Sequence, residues 1–100
     1  MTNDDINRII DTVEDLGYLV RSYSGRGMYG KSCVAIIIDR NKSEFEAGME
    51  IATALASEEC RMDLVDILLS SRIRQDSMGR DSVVYFPNIP WPEGRASHED

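Results

Sequence analysis

Apolar residues near the start of the chain recur at helical spacing: Ile6, Ile9, Ile10, Val13 and Leu16 form one stripe. Asn3 or Asp4 is the expected N-cap, and Gly17 stands where a helix closes in the left-handed region. The other faces carry Asp4, Asp5, Asp11, Glu14 and Asp15 against a single Arg8, with the early acids complementing the helix dipole. After Gly17 the period changes. Residues 18–24 read Tyr-Leu-Val-Arg-Ser-Tyr-Ser, a β-rich composition, and Cys33-Val34-Ala35-Ile36-Ile37-Ile38 is an unbroken apolar run, as expected of a buried strand. The two are expected to pair as a hairpin across a glycine-rich connection.

Ser43 and Glu46 have capping-box spacing, and Phe45, Met49, Ile51, Ala52, Ala54 and Leu55 carry a second helix to about residue 57. Leu64, Val65, Ile67, Leu68 and Leu69 make a third apolar segment. It is read as a helix over 61–70 because Asp63 and Asp66 share a side, with a strand as the competing reading. Residues 71–76 are expected to be extended, Gly79 and Asp81 to make a turn, and 82–86 to be a strand, giving a second hairpin. Pro87, Pro90 and Pro92 lack N–H donors, so 87–92 is expected as an extended arm, and 93–100 as a flexible polar tail. This order predicts one α+β domain over 1–92, a mainly antiparallel three- to four-stranded sheet with helices packed on one face.

Composition then narrows the function classes. One hundred residues allow one modest core, and 42% apolar with 29% charged residues is ordinary for a globular domain. A net charge of −7 disfavours direct nucleic-acid binding and anionic membranes, and favours basic partners. The charge is unevenly placed. Segments 3–16, 43–57 and 58–71 hold twelve acids against Arg8 and Arg61, whereas the rest holds six acids against nine Lys and Arg. With no apolar leader and no run of spanning length, a location in the cytoplasm is expected. Cys33 and Cys60 lack the number and spacing of a disulfide framework or zinc site and are read as small buried hydrophobes. His98 lies in the expected tail, so no catalytic residue, metal site or cofactor is expected.

The segment Gly25-Arg26-Gly27-Met28-Tyr29-Gly30-Lys31-Ser32 spells G-x-x-x-x-G-K-[ST], the phosphate-loop pattern. That chemistry needs a helix after the loop, pointing its N-terminus at the anion, but an apolar strand is expected there. Even the acid-ended strand of a nucleotide hydrolase, 34–38 followed by Asp39, comes too soon. The plain alternative is a wide hairpin loop whose glycines permit positive φ. Two uses of it stay open. Arg26 and Lys31, supported by Arg72, Arg74 or Arg80 from the second hairpin, are placed to hold an anion such as a nucleotide phosphate. Met28 and Tyr29 are placed as apolar anchors for a partner. A third use of the surface is mimicry, in which the acidic helices occupy a basic groove built for nucleic acid.

The loop Tyr23-Ser24-Gly25-Arg26-Gly27-Met28-Tyr29-Gly30-Lys31-Ser32-Cys33, with Gln75-Asp76-Ser77-Met78-Gly79 and Val83-Val84-Tyr85-Phe86-Pro87, resembles a group of small, mostly uncharacterised proteins of tailed bacteriophages and prophages. The resemblance covers the loop and the two hairpins. It implies a small protein made in a bacterial host and directed at a host component. The function expected is therefore a small acidic accessory protein that binds a host protein or nucleoprotein, an anti-defence inhibitor being one form. The alternative is a nucleotide- or phosphate-ligand binder using 25–32, and self-association is left open.

Overall fold

A computed structural model describes residues 2–24, 32–59, 62–71, 73–76 and 81–96, without the side chains of 58, 59, 64, 67, 69–71 and 73–76. The first helix, α1, spans Asn3–Asp15. Its N-cap is Thr2 rather than Asn3 or Asp4. The Thr2 hydroxyl accepts from the Asp5 N–H at 3.1 Å and the Asp5 carboxylate accepts from the Thr2 N–H at 3.4 Å. This choice places a carboxylate at the third helical position, where it returns the bond. At the other end Gly17 adopts φ +97° and donates to the Glu14 carbonyl, while Tyr18 N–H reaches the Val13 carbonyl. Both bonds of a Schellman cap are thus made, and they turn the chain into the sheet.

The strands are β1 (Leu19–Tyr23), β2 (Cys33–Ile38), β3 (Ile73–Asp76) and β4 (Ser82–Pro90), in the spatial order β1-β2-β4-β3. Every neighbouring pair is antiparallel, so both expected hairpins form and β4 joins them through β2. The helices α2 (Glu44–Glu59) and α3 (Met62–Ser71) lie between β2 and β3 in the chain. The third apolar segment is therefore helical. The Ser43 hydroxyl accepts from the Glu46 N–H at 3.0 Å and starts α2 as expected.

Strand β4 runs further than the prolines suggested. It continues through Pro87 to Pro90 because the ladder breaks there: Val34 faces Phe86, but Cys33 faces Pro90. The residues between are looped out of register, so no ladder donor is required of Pro87. The same excursion carries Ile89 into full burial. Residues 93–96 also depart from the expected tail. Glu93 N–H donates to the Asn3 side-chain oxygen at 2.9 Å, and Arg95 reaches three side chains of α1. Residues 97–100 lie outside the described residues.

One apolar cluster unites the elements. Ile6, Ile9, Ile10 and Val13 of α1, Ala47, Ile51 and Leu55 of α2, and Val65 and Leu68 of α3 meet Val20, Val34, Ile36, Ile38, Val84 and Phe86. In the strand register Val20 and Val84 flank Ile36, and Ser22 and Phe86 flank Val34, so these strand residues share one face of the sheet. Each fully buried aliphatic side chain there contributes about 1.5–3 kcal/mol relative to exposure. Phe45 and Met49, part of the apolar pattern of α2, are not in this core; they are 76% and 54% exposed.

Candidate functional site

Arg26, Met28, Tyr29 and Lys31, together with Arg72 and Arg80, lie outside the described residues, and Arg74 is placed only by its backbone, opposite Val84 in β3. What is described is the frame that holds the loop. Ser24 ends the first flank and Ser32 begins the second, and their hydroxyl oxygens are 3.1 Å apart. Ser32 leads directly into β2, so no helix N-terminus follows the Lys31-Ser32 pair. The backbone electrostatics that give a phosphate loop its affinity are missing on that side.

Next to this neck the second face of the sheet becomes aromatic. Tyr23 stacks on Tyr85 with ring centroids 4.6 Å apart and planes 18° from parallel. Tyr23 pairs with Cys33 and Tyr85 with Ala35, so the rings meet across two small residues of the middle strand, both buried. Stacked aromatics of this kind add about 0.5–1.5 kcal/mol beyond area burial. Burial pushes the Cys33 thiol up, away from the thiolate a nucleophile requires. Cys33 is therefore a packing residue, as expected; Cys60 lies outside the described residues. Further along the same face Leu19 pairs with Ile37 and Ile37 with Val83, and Leu19 is 50% exposed.

At the far end of β1 sits a polar cluster that the sequence did not disclose. Tyr18 hydroxyl donates to Glu50 at 2.9 Å, and Lys42 Nζ donates to Glu50 at 2.9 Å and to the Tyr18 oxygen at 3.2 Å. The same ammonium lies 5.0 Å from the centre of the Tyr18 ring. Burial raises the Tyr18 phenol, the hydrogen bond to Glu50 raises Lys42, and the hydrogen bond from Lys42 lowers Glu50. All three shifts stabilise one protonation pattern: neutral phenol, ammonium and carboxylate. That pattern suits a clasp between β1, the 39–42 turn and α2, and opposes proton transfer near neutral pH.

Beside the clasp lies a hollow of about 240 Å³, with Leu16, Leu19, Ile37, Asp39 and Asp81 among its walls. Its carboxylates are engaged locally. Asp39 accepts from Asn41 N–H at 2.8 Å and Asp81 from Arg40 N–H at 3.3 Å, bonds that fix the turn. Among the described residues no buried side-chain nitrogen or oxygen lacks a hydrogen-bond partner, and no group of three or more His, Cys, Asp or Glu is arranged to hold a metal ion. No helix of the described residues is long and apolar enough to cross a membrane.

The clasp and the tyrosine pair were missed because each joins residues far apart in sequence. A signal did exist for the C-terminal anchorage: Asn3, Asn7, Asp11 and Glu14 fall on one helical stripe, and all four bind residues 93–95. Comparisons with protein-family models, with curated proteins and with solved structures gave no match.

Proposed function

We propose that the chain is a small acidic phage-type accessory protein, non-enzymatic, that binds a host protein or nucleoprotein through the 25–32 loop and the tyrosine end of the sheet beside it. The observation that carries this reading is the frame of the loop. The loop leaves a neck of two apposed serines beside the Tyr23–Tyr85 stack, and runs into a strand instead of a phosphate-binding helix. Aromatic side chains and an apolar Met-Tyr pair are the residue types that anchor protein interfaces, and they lose little conformational entropy on binding. Inhibition of a host defence component is one form such binding would take. The nucleotide-binding alternative has Arg26 and Lys31 but lacks the helix dipole behind them.

Two measurements test the reading. Tagged protein is used to capture partners from a bacterial host lysate, with Tyr29→Ala as the comparison; a specific partner should be retained by the wild type and lost by the variant. In parallel, ATP or GTP with Mg²⁺ is expected to leave the melting temperature unchanged, since only a ligand that binds the folded state raises it. A Mg²⁺-dependent rise that disappears in Lys31→Ala would replace this reading with the nucleotide-binding one.

A further inference from the structure

We propose that the apolar crevice between α2 and α3, together with the exposed Phe45 and Met49 of α2, docks a basic amphipathic helix of a partner protein. This surface is separate from the loop and does not rest on the reading above. Helix α2 has two apolar stripes. Ala47, Ile51 and Leu55, four apart, are buried in the core, while Phe45 and Met49, also four apart, are exposed. At about 100° per residue Phe45 and Ala47 point to nearly opposite sides, so the outer stripe contributes little to this chain's own core. Methionine is well suited to such a surface because its flexible, polarizable side chain adapts to different apolar anchors.

Between the two stripes stands Gly48, in the interior of the helix. Among the described residues, a Cβ added there would meet no heavy atom within 4 Å. A glycine at such a position costs about 1 kcal/mol relative to alanine, and no close approach among the described residues requires it. The space it keeps clear is the mouth of an apolar crevice of about 40 Å³, lined by Gly48 and Ala52 and floored by Ile36, Val84 and Phe86. A crevice with such walls is suited to an apolar side chain rather than to ordered water.

Charge selects the occupant. Over residues 43–71 there are seven acids, Glu44, Glu46, Glu50, Glu58, Glu59, Asp63 and Asp66, against Arg61; Glu44 lines the crevice, and Glu50 is paired with Lys42 just before the segment. A helix presenting apolar residues at i and i+4 with Lys and Arg beside them meets both the stripe and the field around it. A second copy of this chain would bring a net charge of −7 against itself, and the C-terminal Ser97-His98-Glu99-Asp100 is acidic too.

The probe is a fluorescein-labelled Lys/Arg-rich peptide of about twenty residues, long enough to form a marginal helix alone. It carries Leu and Trp at i, i+4 and i+7, and is compared with a scrambled peptide of the same composition at about 0.15 M salt, where exposed charges are screened beyond about 8 Å. The amphipathic peptide is expected to bind about tenfold or more tightly than the scramble. Phe45→Ala should remove most of that preference. Gly48→Leu should remove it by filling the mouth, and Gly48→Ala, with little steric demand, should keep the fold and weaken binding less. Tyr29→Ala should bind the peptide as the wild type does, whatever it does to a partner of the loop. Equal affinity for both peptides, no binding, or a preference unaffected by Phe45→Ala and Gly48→Leu each overturns the proposal. So does concentration-dependent dimerisation that Phe45→Ala abolishes, since the occupant would then be a second copy.

Discussion

Helices α1 and α2 send apolar stripes into the same core and both begin with acidic first turns, yet they use their remaining surface in opposite ways. On α1 the polar stripe is taken up by the chain itself. Asn3 brackets Glu93, and Arg95 donates to Asn7 at 2.9 Å, Asp11 at 3.1 Å and Glu14 at 2.8 Å, while Trp91 donates to the Arg95 carbonyl at 3.2 Å. On α2 the outer face keeps Phe45, Met49 and Gly48 exposed or uncrowded, while Glu50 is clasped by Lys42 and Tyr18. The lesson is that an acidic helix face is not by itself a functional one. On α1 part of the charge holds the C-terminal segment, whereas on α2 apolar groups and space are left unused by the fold.

The largest effect that bears on this comparison comes from the stripe the two helices share in kind. Ile9 is fully buried, so Ile9→Ala should cost about 2–5 kcal/mol by urea denaturation, with the cavity term included. Phe45→Ala, larger in atoms removed, should change stability by less than about 0.5 kcal/mol because the ring is mostly in solvent already. If the two cost the same, the division of α2 into inner and outer faces is wrong. Arg95→Ala comes next. Arg95 joins two carboxylates and an amide, and its removal should cost about 1–2 kcal/mol and raise amide exchange around residues 91–95.

Gly48→Ala should stabilise the fold by about 0.5–1 kcal/mol, since helix propensity improves and the new Cβ meets nothing. The smallest effect is the pH dependence of the Tyr18–Lys42–Glu50 clasp. Glu50 is lowered, so its contribution is present above the unfolded carboxylate value near 4.3 and fades as acid protonates it. Lys42 and Tyr18 are raised, so theirs are complete below about pH 10 and fade as base passes their folded values. Melting temperature should therefore be level between about pH 5 and 9 as far as the clasp is concerned, and Lys42→Met should flatten the decline at both ends.

Much of this fold could be read from periodicity. The stripe from Ile6 to Val13, the run from Cys33 to Ile38 and the β-rich run in 82–86 are local patterns, and each became the element it indicated. The N-cap was displaced by one because the pairing of Thr2 with Asp5 outweighs the propensity of Asn3, which is used instead to hold Glu93. The path of β4 through Pro87 was hidden because a register break is a property of two strands at once. Phe45 and Met49 fitted a helical pattern as well as Ile51 and Leu55 did, and pattern alone does not say which of two apolar stripes faces inward. The flanks of the candidate loop were legible as strands from their composition, while residues 25–31 lie outside the described residues. The tyrosine pair beside the loop was not legible, because Tyr23 and Tyr85 are brought together only by the pairing of β1 and β4 on either side of β2.

The most direct test of the proposed function is a titration of the captured partner against the wild type, Tyr29→Ala and Glu46→Lys, each at low and moderate salt. Binding anchored by the loop predicts that Tyr29→Ala loses about 2 kcal/mol or more at both salt concentrations, while Glu46→Lys loses little. If Tyr29→Ala binds as tightly as the wild type and Glu46→Lys fails at low salt, the partner is held by the acidic helices and the loop is not the functional surface.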